Sequence, residues 1–196
     1  MTVAVVNYNA GNIRSVLFAL ERAGVQAVLT DDPDTLQRAD KVVFPGVGEA
    51  AAAMRELRRK GLDAVIPALR QPVLGICIGM QLLCRRSEEG DTDCLGVLPL
   101  EVRRFRPADP ALKVPHMGWN QITGLRGRLL PPELEGAYVY FVHSYYVETS
   151  PWTSAVTDYG TPFSAAIEHE NFFATQFHVE KSGRVGERIL RNFLEL

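Results

Sequence analysis

Nowhere in its 196 residues does the chain hold the ~20 successive apolar residues that a membrane-spanning helix needs. Its opening, Met1-Thr-Val-Ala-Val-Val-Asn7, lacks the basic segment and apolar core of a secretory signal. Both absences lead us to expect a cytoplasmic protein with no membrane partner. No charge of one sign predominates: 21 Lys and Arg stand against 23 Asp and Glu, a formal net charge of -2, so nothing electrostatic favours nucleic acid as a partner. The basic cluster from Arg55 to Lys60 follows a helical pattern and reads as a solvated face. Cysteine is limited to Cys77, Cys84 and Cys94, and histidine to four positions. No metal-type pairing links them, so neither a disulfide framework nor a zinc site is indicated, and Cys84 is expected to pack in a helix. No repeat, linker or low-complexity stretch divides the chain, and its length suits one core, a single domain over residues 1–196.

What the chain does have is Pro72-Val-Leu-Gly-Ile-Cys-Ile-Gly-Met-Gln-Leu-Leu83. The apolar run after Pro72 predicts a buried strand, and Met80 to Leu83 the first turns of a helix, which puts Cys77 at the turn between them. Gly75 and Gly79, two residues to either side, leave the room that a sharp strand-to-helix turn needs. Such a nucleophile elbow presents the sulfur at the carboxyl edge of a sheet. At a helix N-terminus, free N–H groups and partial positive charge favour thiolate over thiol. Taken alone, the stretch equally suits a cysteine buried in a tight turn.

Around it the pattern alternates. Val3 to Tyr8 predicts a strand, and Ile13, Val16, Leu17 and Leu20 recur at helical spacing until Gly24. Gln26 to Leu29 and Lys41 to Phe44 predict further strands. Helices are expected after Asp31-Asp-Pro33, from Ala50 to Lys60, and from Leu62 to Leu69. Strands alternating with helices imply right-handed βαβ units, an α/β fold with an open, mainly parallel sheet and helices on both faces. Past Cys84 the predicted strands (Val97 to Phe105, Asn120 to Thr123, Tyr138 to Val142, Tyr145 to Glu148, Ser154 to Asp158, Phe163 to Glu168) have no helices between them, so an antiparallel β extension is expected. Phe172 to Phe177 then returns to an apolar strand, and Val185, Ile189 and Phe193 give a final helix one buried face.

A cysteine nucleophile needs a base, and the base needs an acceptor to orient it. Thr175-Gln-Phe-His-Val-Glu180 offers both, and strand periodicity would point His178 and Glu180 to the same side; an ordinary strand-end pair would look the same. An oxyanion needs N–H donors, which Pro45-Gly-Val-Gly48 and the residue after the nucleophile, Ile78, are suited to supply. His169 reads as solvated, whereas His116 and His143 lie in apolar-flanked stretches suited to structure or binding.

Together, Pro45-Gly-Val-Gly48, Gly75-Ile-Cys-Ile-Gly-Met-Gln81 and Phe177-His-Val-Glu180 resemble the class I, or triad, glutamine amidotransferases. Tyr8-Asn-Ala-Gly-Asn12, Pro115-His-Met-Gly-Trp-Asn120, Phe141-Val-His-Ser-Tyr-Tyr146 and His178-Val-Glu-Lys-Ser-Gly183 look like the branch that serves as glutaminase subunits of imidazole glycerol phosphate synthases. The chain departs from the family pattern at Glu49-Ala50, where a small residue and an aromatic are common.

The resemblance implies a class I glutamine amidotransferase-like fold and a Cys77–His178–Glu180 triad that hydrolyses glutamine to glutamate and ammonia. It implies oxyanion donors at Val47, Gly48 and Ile78, and glutamine contacts at Gln81, Glu89, Ser144 and Tyr145. No cofactor or metal is implied. Ammonia freed into water becomes ammonium, so the family docks the glutaminase on a (β/α)8-barrel cyclase subunit, as a heterodimer with an ammonia channel. The cyclase uses the ammonia to make imidazole glycerol phosphate and aminoimidazole carboxamide ribotide in histidine biosynthesis. Family positions facing that partner match Asn12, Trp119 and Lys181, with Met117 nearby. The competing expectations are another triad amidotransferase subunit, a free-standing γ-glutamyl cysteine hydrolase, and an inactive regulatory subunit.

Overall fold

The computed structural model describes residues 1–9 and 13–196. Strand and helix alternate through β1 (Val3–Val6), α1 (Ile13–Arg22), β2 (Val28–Thr30), α2 (Pro33–Arg38), β3 (Lys41–Phe44), α3 (Ala50–Arg59), α4 (Leu62–Val65), β4 (Val73–Ile76) and α5 (Ile78–Leu83). A run of strands follows: β5 (Cys84–Ser87), β6 (Thr92–Asp93), β7 (Leu98–Arg104), β8 (His116–Gln121), β9 (Tyr138–His143), β10 (Tyr145–Val147), β11 (Thr153–Asp158) and β12 (Pro162–His169). The last elements are β13 (Phe172–Thr175) and α6 (Gly183–Glu195). Among the described residues no helix is long and apolar enough to cross a membrane.

The main sheet has the order β11-β12-β13-β4-β3-β1-β2. Its β13, β4, β3, β1 and β2 are parallel, and β12 and β11 add an antiparallel edge. Strand periodicity sends Ala4 and Val6 to one face and Val3 and Val5 to the other. The first face packs with Leu36 of α2, Met54 and Leu57 of α3 and Met80 of α5. The second packs with Val16 and Leu20 of α1 and Ile189 and Phe193 of α6. Both faces are covered, which is why β1 and the Val42–Phe44 part of β3 are apolar without alternation. The mainly parallel α/β sheet with helices on both faces is as the sequence predicts. The extension consists of the antiparallel edge and two smaller sheets, β10-β7-β5-β6 and β8-β9.

Several local details depart from the sequence expectation. β1 ends at Val6, short of the expected Tyr8, which is buried with its hydroxyl donating to Pro45 O at 2.8 Å. α5 ends at Leu83, so Cys84 opens β5 and is buried in a strand, not a helix. β8 starts at His116, ahead of the expected Asn120. β13 stops at Thr175, and the chain enters a single 3-10 turn, Val179–Lys181. His178 and Glu180 therefore do not sit on a strand, and the turn, not strand periodicity, brings them together.

Candidate active site

Cys77 occupies the turn between β4 and α5 with φ 54° and ψ -108°, a conformation that residues other than glycine seldom adopt. The neighbours hold it there. Its N–H donates to Thr175 O of β13 at 2.8 Å, and its carbonyl accepts from Gln81 N–H at 3.3 Å. At Gly79 a Cβ would overlap the carbonyl oxygen of Phe44, so α5 can lie this close to β3 only with glycine there. The glycine thus serves the approach of two elements, while the cysteine itself carries the unusual φ.

His178 Nδ1 lies 2.8 Å from Glu180 Oε1, with both side chains buried, and the ring also hydrogen-bonds Cys77. The turn is held by β9: His178 N–H donates to Tyr140 O at 2.9 Å. The Ser182 hydroxyl donates to His178 O at 2.7 Å and accepts from Tyr140 N–H at 3.0 Å. Burial pulls the pKa of His178 down, but the hydrogen bonds and charges of Cys77 and Glu180 outweigh it and push it up to about 10. An imidazolium held between sulfur and carboxylate keeps a proton ready for a leaving amine.

The glycine loop after β3 reaches the same sheet edge. A Cβ at Gly46 would collide with the Tyr8 hydroxyl and Ile78, and Gly48 has φ 107°. Val47, Gly48, Cys77, Ile78 and His178 border a cavity of about 320 Å³, and Gln81, Glu89, Pro115, Val142, His143, Ser144 and Tyr145 complete its wall. All residues matched by resemblance to the oxyanion and glutamine positions thus meet at one cavity beside Cys77. Gln81 Nε2 donates to Tyr145 O at 3.0 Å and to Gln176 Oε1 at 2.9 Å. Glu89, half-buried, accepts from Ala50 N–H at 2.8 Å and so closes the N-terminus of α3; burial raises its pKa. Among the described residues no group of three or more His, Cys, Asp or Glu is placed to hold a metal ion.

Of the expected partner-facing residues, Asn12 lies outside the described residues. Met117 and Trp119 are 64% and 55% exposed, unusual for such apolar side chains on a strand. The Trp119 ring stands 6.0 Å from that of Tyr140, and Lys181 Nζ lies 5.9 Å over the same ring. These three residues therefore gather on the outer face of β8-β9. Tyr138 and Tyr140 belong to that face and were not singled out from the sequence, although their alternation with buried Val139, Phe141 and His143 marks them. Gln176, wholly buried with its amide toward the Cys77 sulfur, was also missed. His169, expected in solvent, is half-buried with its ring 5.3 Å from that of Trp152.

An α/β sheet with a cysteine elbow, a His–Glu pair and a glycine loop at one edge defines a class, and the chain belongs to the class-I glutamine amidotransferases, whose family model matches residues 4–196. Within that class its relatives carry the name imidazole glycerol phosphate synthase subunit HisH. The protein of that name from Bacteroides fragilis (strain YCH46) is 60% identical over 196 residues, covering 100% of both chains. That from Escherichia coli (strain K12) is 46% identical over 198 residues, again covering 100% of both. Solved structures at lower identity share the fold. A glutamine amidotransferase crystal structure has a TM-score of 0.76 at 20% identity, covering 100% of this chain and 98% of that one. PurLQS from Thermotoga maritima has a TM-score of 0.71 at 19% identity, covering 99% and 97%.

Proposed function

We propose that this chain is the glutaminase subunit of an imidazole glycerol phosphate synthase, acting in histidine biosynthesis, with Cys77, His178 and Glu180 as its triad. The observation that carries the triad is the buried His178 ring, bonded at Nδ1 to Glu180 and also to Cys77, at the wall of a cavity large enough for a small amino acid. The Cys77 thiolate attacks the side-chain carboxamide carbon of glutamine. The oxyanion accepts N–H bonds from Ile78 and the Val47–Gly48 segment of the glycine loop. His178 gives its proton to the departing nitrogen, and ammonia leaves. Water then attacks the thioester, passing a proton to His178, and glutamate departs as the thiolate re-forms. Glu180 holds the ring and balances its charge. Gln81 and Glu89, with groups of Ser144 and Tyr145, hold the substrate.

Ammonia lost to water is protonated and no longer nucleophilic, so the site works only when docked over an acceptor site. The partner in this reading is a (β/α)8-barrel cyclase in a heterodimer, seated on Met117, Trp119 and Lys181 with Asn12 nearby. The exposed face of β8-β9 supports it, and so does the backbone bond from Tyr140 of that face to His178. The family match over nearly the whole chain supports one amidotransferase domain, and the biosynthetic role a cytoplasmic setting. The test is glutamate release by the chain alone, with the cyclase, and with the cyclase bound to its nucleotide ligand. Release should be low alone and rise at each step. Full activity of the isolated chain, indifferent to partner and ligand, would point to a free-standing hydrolase instead.

A further inference from the structure

The steps above give no role to Gln176, His116 or His143, yet the three belong to one hydrogen-bonded run that ends on the Cys77 sulfur. Gln176 Nε2 reaches Sγ at 3.8 Å, and its Oε1 accepts from Gln81 Nε2 at 2.9 Å. That orientation follows from chemistry. Gln81 Nε2 also donates to Tyr145 O at 3.0 Å, a carbonyl that can only accept. Gln81 therefore presents N–H protons on this side, and Gln176 must meet them with oxygen and turn its nitrogen to the sulfur.

The same carbonyl settles the histidines. Tyr145 O lies 2.7 Å from His143 Nδ1, so that nitrogen carries the proton. Burial keeps His143 neutral, its pKa pulled down to about 3, so its Nε2 is an acceptor. The atom 3.1 Å away, His116 Nδ1, must then donate. His116 is itself kept neutral, at about 4, by burial. Its Nε2 is left to accept from Asn120 Nδ2 at 3.4 Å, a nitrogen identified by its donation to Asp158 O at 2.9 Å. Each donor is assigned without conflict from Asn120 on β8 to the elbow.

We propose that Gln176 is a further catalytic residue, whose amide N–H donates to the Cys77 thiolate alongside His178, and that the Gln81–Tyr145–His143–His116–Asn120 network holds it in that orientation. The proposal rests on Cys77 being the nucleophile. Its chemical use lies in the second half of the reaction. When water opens the thioester, the sulfur leaves as a thiolate, and a neutral amide stabilises it without competing with His178 for protons. The other titratable groups near the sulfur are Tyr8, held protonated by burial beside Cys77, Glu180 behind His178, and Glu89 across the cavity.

The test is the pH profile of Cys77 alkylation by iodoacetamide in the full chain, with glutamate release by the cyclase complex in parallel. Gln176→Leu removes the donor, and Gln176→Glu keeps the shape while turning an oxygen to the sulfur. The half-maximal alkylation pH should move upward in Gln176→Leu and further in Gln176→Glu. Release kcat should fall roughly tenfold or more in Gln176→Leu, the worth of a hydrogen bond to a charged group, with KM little changed. A purely structural role through Gln81 would instead raise KM and leave the alkylation profile in place, which would overturn the proposal. If Gln176→Leu does not fold, nitrogen NMR of the wild-type chain decides. His143 and His116 should both be Nδ1-protonated and neutral from about pH 5 to about pH 9; an Nε2-protonated His143 would remove the basis for the orientation of Gln176. Cys77→Ala keeps the two claims apart. Surviving release in that variant would refute the nucleophile, whereas lost release together with a wild-type-like Gln176→Leu would refute only the role of Gln176.

Discussion

Replacing Cys77 by glycine should give a more stable protein than replacing it by alanine, the reverse of the order usual for these two residues. Both variants lose the sulfur, its bond to His178 and its packing, so those losses largely cancel in the comparison. What remains is the backbone at φ 54° and ψ -108°. A residue with a Cβ is strained there by about 1–3 kcal/mol, while glycine is not. Opposing this is the greater entropy that glycine loses on folding, about 0.5–1 kcal/mol relative to alanine. The middle of each range leaves Cys77→Gly ahead by about 1 kcal/mol, or about 2–4 °C in melting midpoint for a chain of this size. Thermal melts of the two variants, followed by circular dichroism in one buffer, measure the difference. Equal midpoints, or alanine above glycine, would mean that the elbow is unstrained and that the surrounding hydrogen bonds do not force the cysteine into this conformation.

Other outcomes follow from single contacts. Gly79→Ala places a Cβ on the Phe44 carbonyl oxygen, with backbone on both sides, and should cost about 1–3 kcal/mol in a urea melt while displacing the elbow. Because the pKa of His178 is raised to about 10, the charged ring contributes its full stability below the ordinary histidine value of about 6.5. That contribution is lost as pH rises through the folded value, so the urea midpoint of the wild-type chain should decline across this window. In Cys77→Ala one of the two supports of the charged ring is gone, and NMR titration of His178 should find a lower pKa. An unmoved value would assign the whole effect to Glu180. Trp119→Ala, at an exposed site, should change stability by no more than about 0.5 kcal/mol yet weaken cyclase binding about tenfold or more by calorimetry; unchanged affinity would remove Trp119 from the interface.

The parallel half of the fold was legible because β1, β3 and β4 are short apolar runs separated by helical spacing, and because Gly75 and Gly79 bracket the elbow. What the pattern could not show was where strands stop. β13 and the residues after it form one apolar stretch in the sequence, yet the sheet ends at Thr175 and the His–Glu pair is made by a turn that Tyr140 and Ser182 hold from another element. The change to a strand at Cys84 is hidden for a similar reason, since nothing after Leu83 signals a helix stop. Gln176, a single glutamine in an apolar run, has no local signature, and its meaning comes from Cys77 and Gln81, distant in sequence. His116 and His143 stood out as histidines among apolar residues, but their neutral, directional pairing depends on burial and on the Tyr145 carbonyl, which only the folded chain brings together.

The proposed attack of the Cys77 sulfur on a glutamine side chain held in the cavity beside it is open to a chemical test. The most direct measurement is peptide mass spectrometry after treatment with a glutamine analogue that carries an electrophilic carbon in place of the carboxamide. Label should be stoichiometric on Cys77, absent from buried Cys84 and from Cys94, whose thiol burial pushes up to about 11, and slowed by glutamine. Label spread over Cys84 or Cys94, or label on Cys77 that glutamine does not slow, would contradict it.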